Sequence, residues 1–506
     1  MPATRADGYR PARMHALLQR LLKTTAAYQV GDVVSKVFAV ALLPIYTRHV
    51  HPSQYGVAEL LMTAIVLVSI LIRFGIGEAL VRYHYADEDR ARRDALARRA
   101  TGFLVVATTL AAIPLLVFAG PLSQLILDRH DPGVFRIAVL GLWTFTNLEL
   151  AMSLLRVDER VRAYVVTTLA NVLLTISLTV FLVVVKDQQA RGLLLGNYGA
   201  STVVLLALWA SMADRLRPRR GGADHPGLHP LRRLLGFGLP TVPADASVYA
   251  LNLVDRYYLF HRYGAATAGV YSIAVKLAGV TGFVARAFQY SWPPLAYSIK
   301  DDAEASRFYA FVATYYLLVT GWVVAALLLL GRWFTKLLAA PAYFGAHTAL
   351  PWLALGWSLY GLFVIFVVIA GRAEVTTRNF PAAAVGLAVN VLLLVVLTPP
   401  LGIAGAGLAL AGAYVAMLTA MRLLTRRLFR VDFEWQRIAQ LAVVLGGLSG
   451  AGELLLPTAG AAGFVSRGLL ALALPAVLAL TGFYRPQERA LVRTLLARAR
   501  SRSSRS

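Results

Sequence analysis

The chain contains no cysteine, which excludes disulfides, thiol chemistry and cysteine-ligated metals. Charge is also scarce: 15% of its 506 residues are Asp, Glu, Lys or Arg, too few to wrap an apolar core in a polar surface. Acidic residues are the scarcest, 26 against 50 Lys and Arg, for a formal net charge of +24. The basic residues sit in short loops and tails beside apolar segments, with no aromatic-interleaved or zinc-binding module, so nucleic acid is not an expected partner. No Walker A sequence or other ATPase motif is present, which argues against a built-in nucleotide engine. The ten-residue alternating segments of a closed β-barrel are missing as well.

What is present is apolar sequence, 58% of the chain, with a mean hydropathy of +0.63. Apolar runs of about twenty residues recur, the length an α-helix needs to cross ~30 Å of hydrocarbon. They predict an all-α polytopic membrane protein of about fourteen transmembrane helices. The spans fall near 24–47, 57–83, 96–118, 134–155, 162–185, 192–213, 234–259, 266–290, 306–330, 347–371, 377–397, 402–424, 437–456 and 465–484. The basic start of the chain (Arg5, Arg10, Arg13, Arg20, Lys23) lacks a small-residue cleavage site after a short apolar core. No cleaved signal peptide is therefore expected, and the first helix serves as its own insertion signal.

Arginines crowd the even-numbered connections, for example Arg90, Arg92 and Arg93, then Arg215, Arg217, Arg219 and Arg220, then Arg422, Arg426, Arg427 and Arg430. The odd-numbered connections hold few. The positive-inside rule then puts the even loops and both termini in the cytoplasm. Loop arginines of this kind ordinarily serve topology and lipid-headgroup contact. His49 and His51 share a short outer loop without further ligands, so no metal is assigned there.

Sliding the first half onto the second by 213 residues pairs Arg20 with Arg233, Asp32 with Asp245, Gly56-Val57 with Gly269-Val270, Arg73 with Arg286, Gly192 with Gly405 and Gly199 with Gly412. The weight rests on the intramembrane charges, because such residues are rare. Two six-helix repeats entering the membrane in the same direction imply a pseudo-twofold axis along its normal. The expected organisation is a basic segment 1–23, a first lobe 24–213, a polar linker 214–233, a second lobe 234–424, a terminal helix pair within 425–484 and a basic tail 485–506. Gly402, Gly405, Gly407 and Gly412 lie in an apolar span with no preceding strand, which favours close helix packing over a dinucleotide loop.

The segment from Tyr28 to Tyr83, with PIYTR…YG…R…G around the first outer loop, resembles the start of bacterial polysaccharide-export flippases of the Wzx type. A corresponding DRYYL…YG…GVYSIAVKL pattern runs from Asp255 to Leu277. With fourteen spans in a six-plus-six-plus-two plan, the resemblance covers nearly the whole chain. It implies the multidrug/oligosaccharidyl-lipid/polysaccharide exporter fold, two lobes around a central cavity that opens alternately to either side of the cytoplasmic membrane. The cargo it implies is an undecaprenyl-pyrophosphate-linked oligosaccharide for cell-surface lipopolysaccharide or exopolysaccharide. The partners it implies are membrane lipids and polysaccharide polymerase and chain-length machinery.

Ionisable groups deep in apolar helices cost ~2.5–3.5 kcal/mol each at the membrane centre and point to a cavity. Asp32 and Lys36 lie four apart on helix 1, Arg73 lies in helix 2 with Glu78 and Arg82 beyond it, Asp245, Asp255 and Arg256 lie on helix 7, and Lys276 and Arg286 on helix 8. The i,i+4 spacing of Asp32 with Lys36 and of Glu78 with Arg82 allows self-neutralising pairs. Arg73, Lys276 and Arg286 have no acidic neighbour at helical spacing, so another helix, water or a bound anion must meet their charge. A guanidinium suits a pyrophosphate because it stays charged and donates paired hydrogen bonds. Arg73, Arg286, Lys276, Lys36 and Arg256 are accordingly the candidate cationic substrate site, with the last close enough to the interface to snorkel. Asp32, Asp245 and Asp255 are candidates for H⁺ or Na⁺ coupling or for charge balance; no other cofactor is expected.

The rivals are a lipid II flippase, a multidrug cation antiporter of the same superfamily, a membrane polymerase or ligase, and a non-transporting scaffold. An antiporter should line its cavity with carboxylates, whereas the unpaired deep charge read here is basic. An enzyme should show a catalytic constellation or a large outer loop, and neither is evident.

Overall fold

The computed structural model describes residues 37–38, 40–87, 89–216, 230–373 and 376–486. Most of the first expected span, including Asp32 and Lys36, lies outside the described residues, as do the linker core 217–229 and the tail from 487. Among the described residues every regular element is a helix. Apart from the short helix Ala213–Leu216 and three 3-10 turns, they are α1 (Leu43–His49), α2 (Pro52–Ile72), α3 (Ile76–Ala86), α4 (Arg90–Val117), α5 (Ala119–Leu127), α6 (Pro132–Val157), α7 (Val161–Val185) and α8 (Gln189–Ser211). There follow α9 (Leu231–Gly238), α10 (Val242–Tyr263), α11 (Ala265–Ser298), α12 (Asp302–Leu338), α13 (Leu350–Arg372), α14 (Asn379–Leu401), α15 (Ile403–Thr425), α16 (Trp435–Leu455) and α17 (Gly460–Leu480).

Twelve of these helices are long and apolar enough to cross a membrane. They answer to the second to sixth and the eighth to fourteenth expected spans. The seventh span is present as α9 and α10, and α10 is too polar to qualify by composition because it carries Asp245, Asp255, Arg256, His261 and Arg262. This is a multi-pass membrane protein.

The chain forms two compact units, one of residues up to Leu253 together with Phe260–Gly269, the other of Val254–Leu259 together with Val270 onward. The core of the first is built where α3, α4, α6, α8 and α9 meet, around Leu80, Leu104, Leu154, Leu205 and Leu234. Its most informative contact joins residues related by the 213-residue repeat. A Cβ at Gly56 would fall 1.9 Å from the Ala265 carbonyl oxygen, and one at Gly269 would fall 2.0 Å from that of Pro52. Residues 52 and 265, like 56 and 269, are 213 apart, so the same backbone approach is made twice, reciprocally.

The second unit closes with the hairpin of α16 and α17, packed against α12 through Leu445, Leu474, Leu478 and Ala325. Its loop is held by Arg467, wholly buried, which bonds the Glu453 carboxylate and donates to the carbonyls of Pro457 at 3.0 Å, Leu456 at 3.0 Å and Glu453 at 3.2 Å. Arg332 of α12 reaches the same Glu453 carboxylate at 3.2 Å. Both arginines thus pin helices together. In α15, a Cβ at Gly405 would lie 2.2 Å from the Leu397 carbonyl oxygen of α14, the close packing expected of that glycine run.

Candidate functional site

In the first unit the site is built on an interrupted helix. A continuous second span, 57–83, is expected from hydropathy, but the structure breaks it: α2 ends at Ile72, Arg73 caps it, Phe74 and Gly75 take positive φ of 50° and 68°, and α3 starts at Ile76. The break has a steric cause, because Gly75 meets Gly238 backbone to backbone and a Cβ there would sit 2.1 Å from the Gly238 carbonyl oxygen. A hydropathy average cannot register a kink whose residues are themselves apolar.

The break presents Arg73 to α6, where Nη1 lies 3.8 Å from Oε2 of Glu149. Asp245 of α10 lies within electrostatic range of both Arg73 and Glu78. Another helix therefore meets the charge of Arg73, and two sequence candidates, Arg73 and Asp245, come together. Glu78 and Arg82 do not form the expected i,i+4 pair; both are exposed and, among the described residues, no ion pair joins them. Sequence reasoning passed over Glu149 and also Glu59, which is buried on α2 within electrostatic range of Tyr198. Among the described residues, Glu59, Glu149 and Asp245 outnumber Arg73 within the helices of this unit.

In the second unit Asp255 and Arg256 are buried. Tyr271 of α11 donates its hydroxyl to Asp255 Oδ2 at 2.8 Å, and Arg256 Nε donates to Ser272 Oγ at 3.1 Å. Asp255 Oδ1 is buried, and Asn390, a fully buried α14 residue, lies close enough for its amide to support the carboxylate, although no well-formed hydrogen bond closes between them. A buried polar pair so loosely closed gains from a proton, ion or water that completes it. Lys276 is half-buried, one turn beyond Ser272 on α11.

Arg286, also on α11, is exposed and lies 5.5 Å over the Trp357 ring of α13. Trp357 meets Tyr360 edge-on at 5.8 Å, Tyr360 packs on Tyr414 of α15 at 5.7 Å, and the Tyr360 hydroxyl reaches Gln289 at 3.4 Å. A guanidinium against an aromatic face keeps its in-plane N–H groups available while the ring supports its charge. No sequence signal joins these rings to Arg286, since they come from helices far along the chain.

His49 and His51 serve the loop between α1 and α2. His49 Nδ1 bonds the Ile45 carbonyl at 2.8 Å, and His51 N–H donates to Gln189 Oε1 at 3.0 Å.

Residues 21–300, more than half of the chain, match the family described as polysaccharide biosynthesis protein. The chain belongs to that family. The matched stretch contains all eight candidate residues from Asp32 to Arg286, whereas Trp357, Tyr360, Asn390 and Tyr414 lie beyond it. The Lsg locus protein 1 of Haemophilus influenzae is 22% identical over 281 residues, 55% of this chain and 66% of that protein; the chain thus spans just under two thirds of that relative's length. Among solved structures, the lipid II flippase MurJ in an inward closed conformation matches with a TM-score of 0.71 at 12% identity, over 92% of this chain and 99% of its own. An inward-facing multidrug MATE transporter of the MOP superfamily matches at 0.62 and 15% identity, over 80% and 95%. A Vibrio cholerae MATE transporter matches at 0.56 and 14% identity, over 82% and 98%. At such identities the likeness shows the fold, which is that of the multidrug/oligosaccharidyl-lipid/polysaccharide exporters.

Proposed function

We propose that this family member is a flippase that carries an undecaprenyl-pyrophosphate-linked oligosaccharide from the inner to the outer leaflet of a bacterial cytoplasmic membrane, its termini on the cytoplasmic side. The observation that carries the reading is Arg286, a permanent cation held among Trp357, Tyr360 and Tyr414 with an amide at Gln289. Apolar ring faces beside a few hydrogen-bonding groups and one cation match the mixed chemistry of a sugar joined to a pyrophosphate. Outward movement of an anion is favoured by ~2.3 kcal/mol per charge per 100 mV, inside negative.

Asp245, in range of Arg73, serves charge balance. Asp255 is the coupling residue of this reading, because its buried carboxylate faces the Asn390 amide across a loosely closed contact that an H⁺ on Oδ1, or a Na⁺ shared with the Asn390 carbonyl oxygen, would tighten. Polymerase and chain-length proteins are its expected partners downstream.

Translocation of a lipid-linked oligosaccharide in proteoliposomes tests the proposal. Arg286→Ala should lower the rate about tenfold or more at matched folded protein, and an unchanged rate sinks the pyrophosphate clamp. Asp255→Asn should remove any dependence of the rate on an imposed H⁺ or Na⁺ gradient. One observation favours a multidrug cation antiporter, namely the acidic excess of Glu59, Glu149 and Asp245 over Arg73 in the first unit. Efflux of a cationic dye from the same proteoliposomes, without flipping, would select it. Faster movement of lipid II than of other lipid-linked sugars would move the cargo to peptidoglycan precursor.

A further inference from the structure

A cavity of about 560 Å³ opens in the second unit between the end of α13, the end of α15 and the connection into α16. Its lining begins about two helical turns beyond Tyr360 on α13 and Tyr414 on α15, on the side that the arginine bias assigns to the cytoplasm. Its size falls within the ~300–1,000 Å³ of small-molecule sites.

Four arginines line it: Arg422, Arg426, Arg427 and Arg430. The single carboxylate in the lining, Asp432, is engaged by Arg430 at 3.1 Å. Four guanidiniums, all exposed, give this space a positive potential that favours an anion, and the last carbonyls of α15 offset only part of that charge.

The other walls are aromatic and fixed. Phe433 packs on Phe366 with ring centroids 5.4 Å apart, and Arg422 lies 4.4 Å over the Trp435 ring, so its guanidinium is positioned before any ligand arrives. Trp435 is half exposed, as interfacial tryptophans are, and Leu423 and Leu428 leave apolar surface open beside the cavity. Phosphate oxygens would meet the arginines, and acyl chains would follow the exposed leucines.

We propose that this cavity is a binding site for the phosphate headgroup of an acidic phospholipid of the cytoplasmic leaflet. The site is separate from the cargo site and does not depend on what is flipped. It binds a lipid that stays in its leaflet, and it ties the start of the terminal hairpin α16–α17 to α13 and α15.

Native mass spectrometry of the full chain in detergent tests this, with phosphatidylglycerol, phosphatidylcholine and glycerol 3-phosphate as probes. Phosphatidylglycerol should be retained about tenfold better than phosphatidylcholine, and Arg422→Gln with Arg426→Gln should remove about that advantage. A control pair, Arg90→Gln with Arg162→Gln, removes equal charge from exposed positions on the same side and should leave retention unchanged. Equal retention of the two lipids by the wild-type protein overturns the proposal, whether or not the variant folds. Retention unchanged in the cavity variant, or lost equally in the control pair, overturns it as well. Displacement of the lipid by glycerol 3-phosphate would reassign the cavity to a soluble phosphate. Tighter retention of a prenyl pyrophosphate than of phosphatidylglycerol would reassign it to the cargo.

Discussion

Arg73 and Arg286 are equivalent in the repeat but differ in their surroundings, one facing the Glu149 carboxylate and the other aromatic rings. Removing Arg73 leaves Glu149 and Asp245 without their cation. Arg73→Ala should therefore lower thermal stability, by less than the ~3–5 kcal/mol of a fully buried pair because the Glu149 side chain is 42% exposed. Adding Glu149→Gln should recover part of the loss, and a thermal-unfolding double-mutant cycle reads the coupling. Arg286→Ala should leave stability nearly unchanged and act on transport.

His84, beyond the second span, is buried, with Nε2 3.7 Å from Asp158. Burial pushes its pKa below the ordinary 6.5, and the Asp158 carboxylate opposes this only partly. Because the folded-state value is depressed, the unfolded chain binds the proton more readily. Stability is complete above about pH 6.5 and falls as pH drops below it. Thermal unfolding between pH 7.5 and 5.5 should show a loss in the wild type that His84→Asn reduces. Glu59 and Glu149 were readable as carboxylates inside apolar runs. Trp357, Tyr360 and Tyr414 were not, because proximity to Arg286 arises only on folding.

Hydropathy located twelve spans, most ends to within about five residues but the end of α2, the start of α4 and the ends of α11 and α12 by six to eleven, and the same apolar runs gave a seventh span where the polar α10 lies. The break between α2 and α3 escaped, because it is decided by a backbone approach to Gly238 and not by polarity. Repeat arithmetic did reach one packing contact, the reciprocal approach of Gly56 and Gly269. A methyl group at either position overlaps backbone, which cannot rotate away as a side chain can. Gly56→Ala and Gly269→Ala should each cost about 1–3 kcal/mol, and the double substitution should cost less than their sum because both open the same gap. Tm measurements on the four proteins decide this.

At the scale of the whole molecule, the absence of cysteine lets topology be read from single introduced cysteines with no background to remove. Arg90→Cys and Arg162→Cys should react with a membrane-impermeant maleimide only after the cytoplasmic face is opened. Arg262→Cys should react in intact cells. The reverse pattern would invert the orientation and with it the direction assigned to transport.

The Glu453 carboxylate between Arg332 and Arg467 also bears on how the chain is made. Synthesis delivers Arg332 121 residues before Glu453, and Arg467 follows only 14 residues later. The carboxylate thus leaves the ribosome with one partner already inserted and the other about to emerge. The final hairpin therefore finds one of its two charge partners on a helix made well before it.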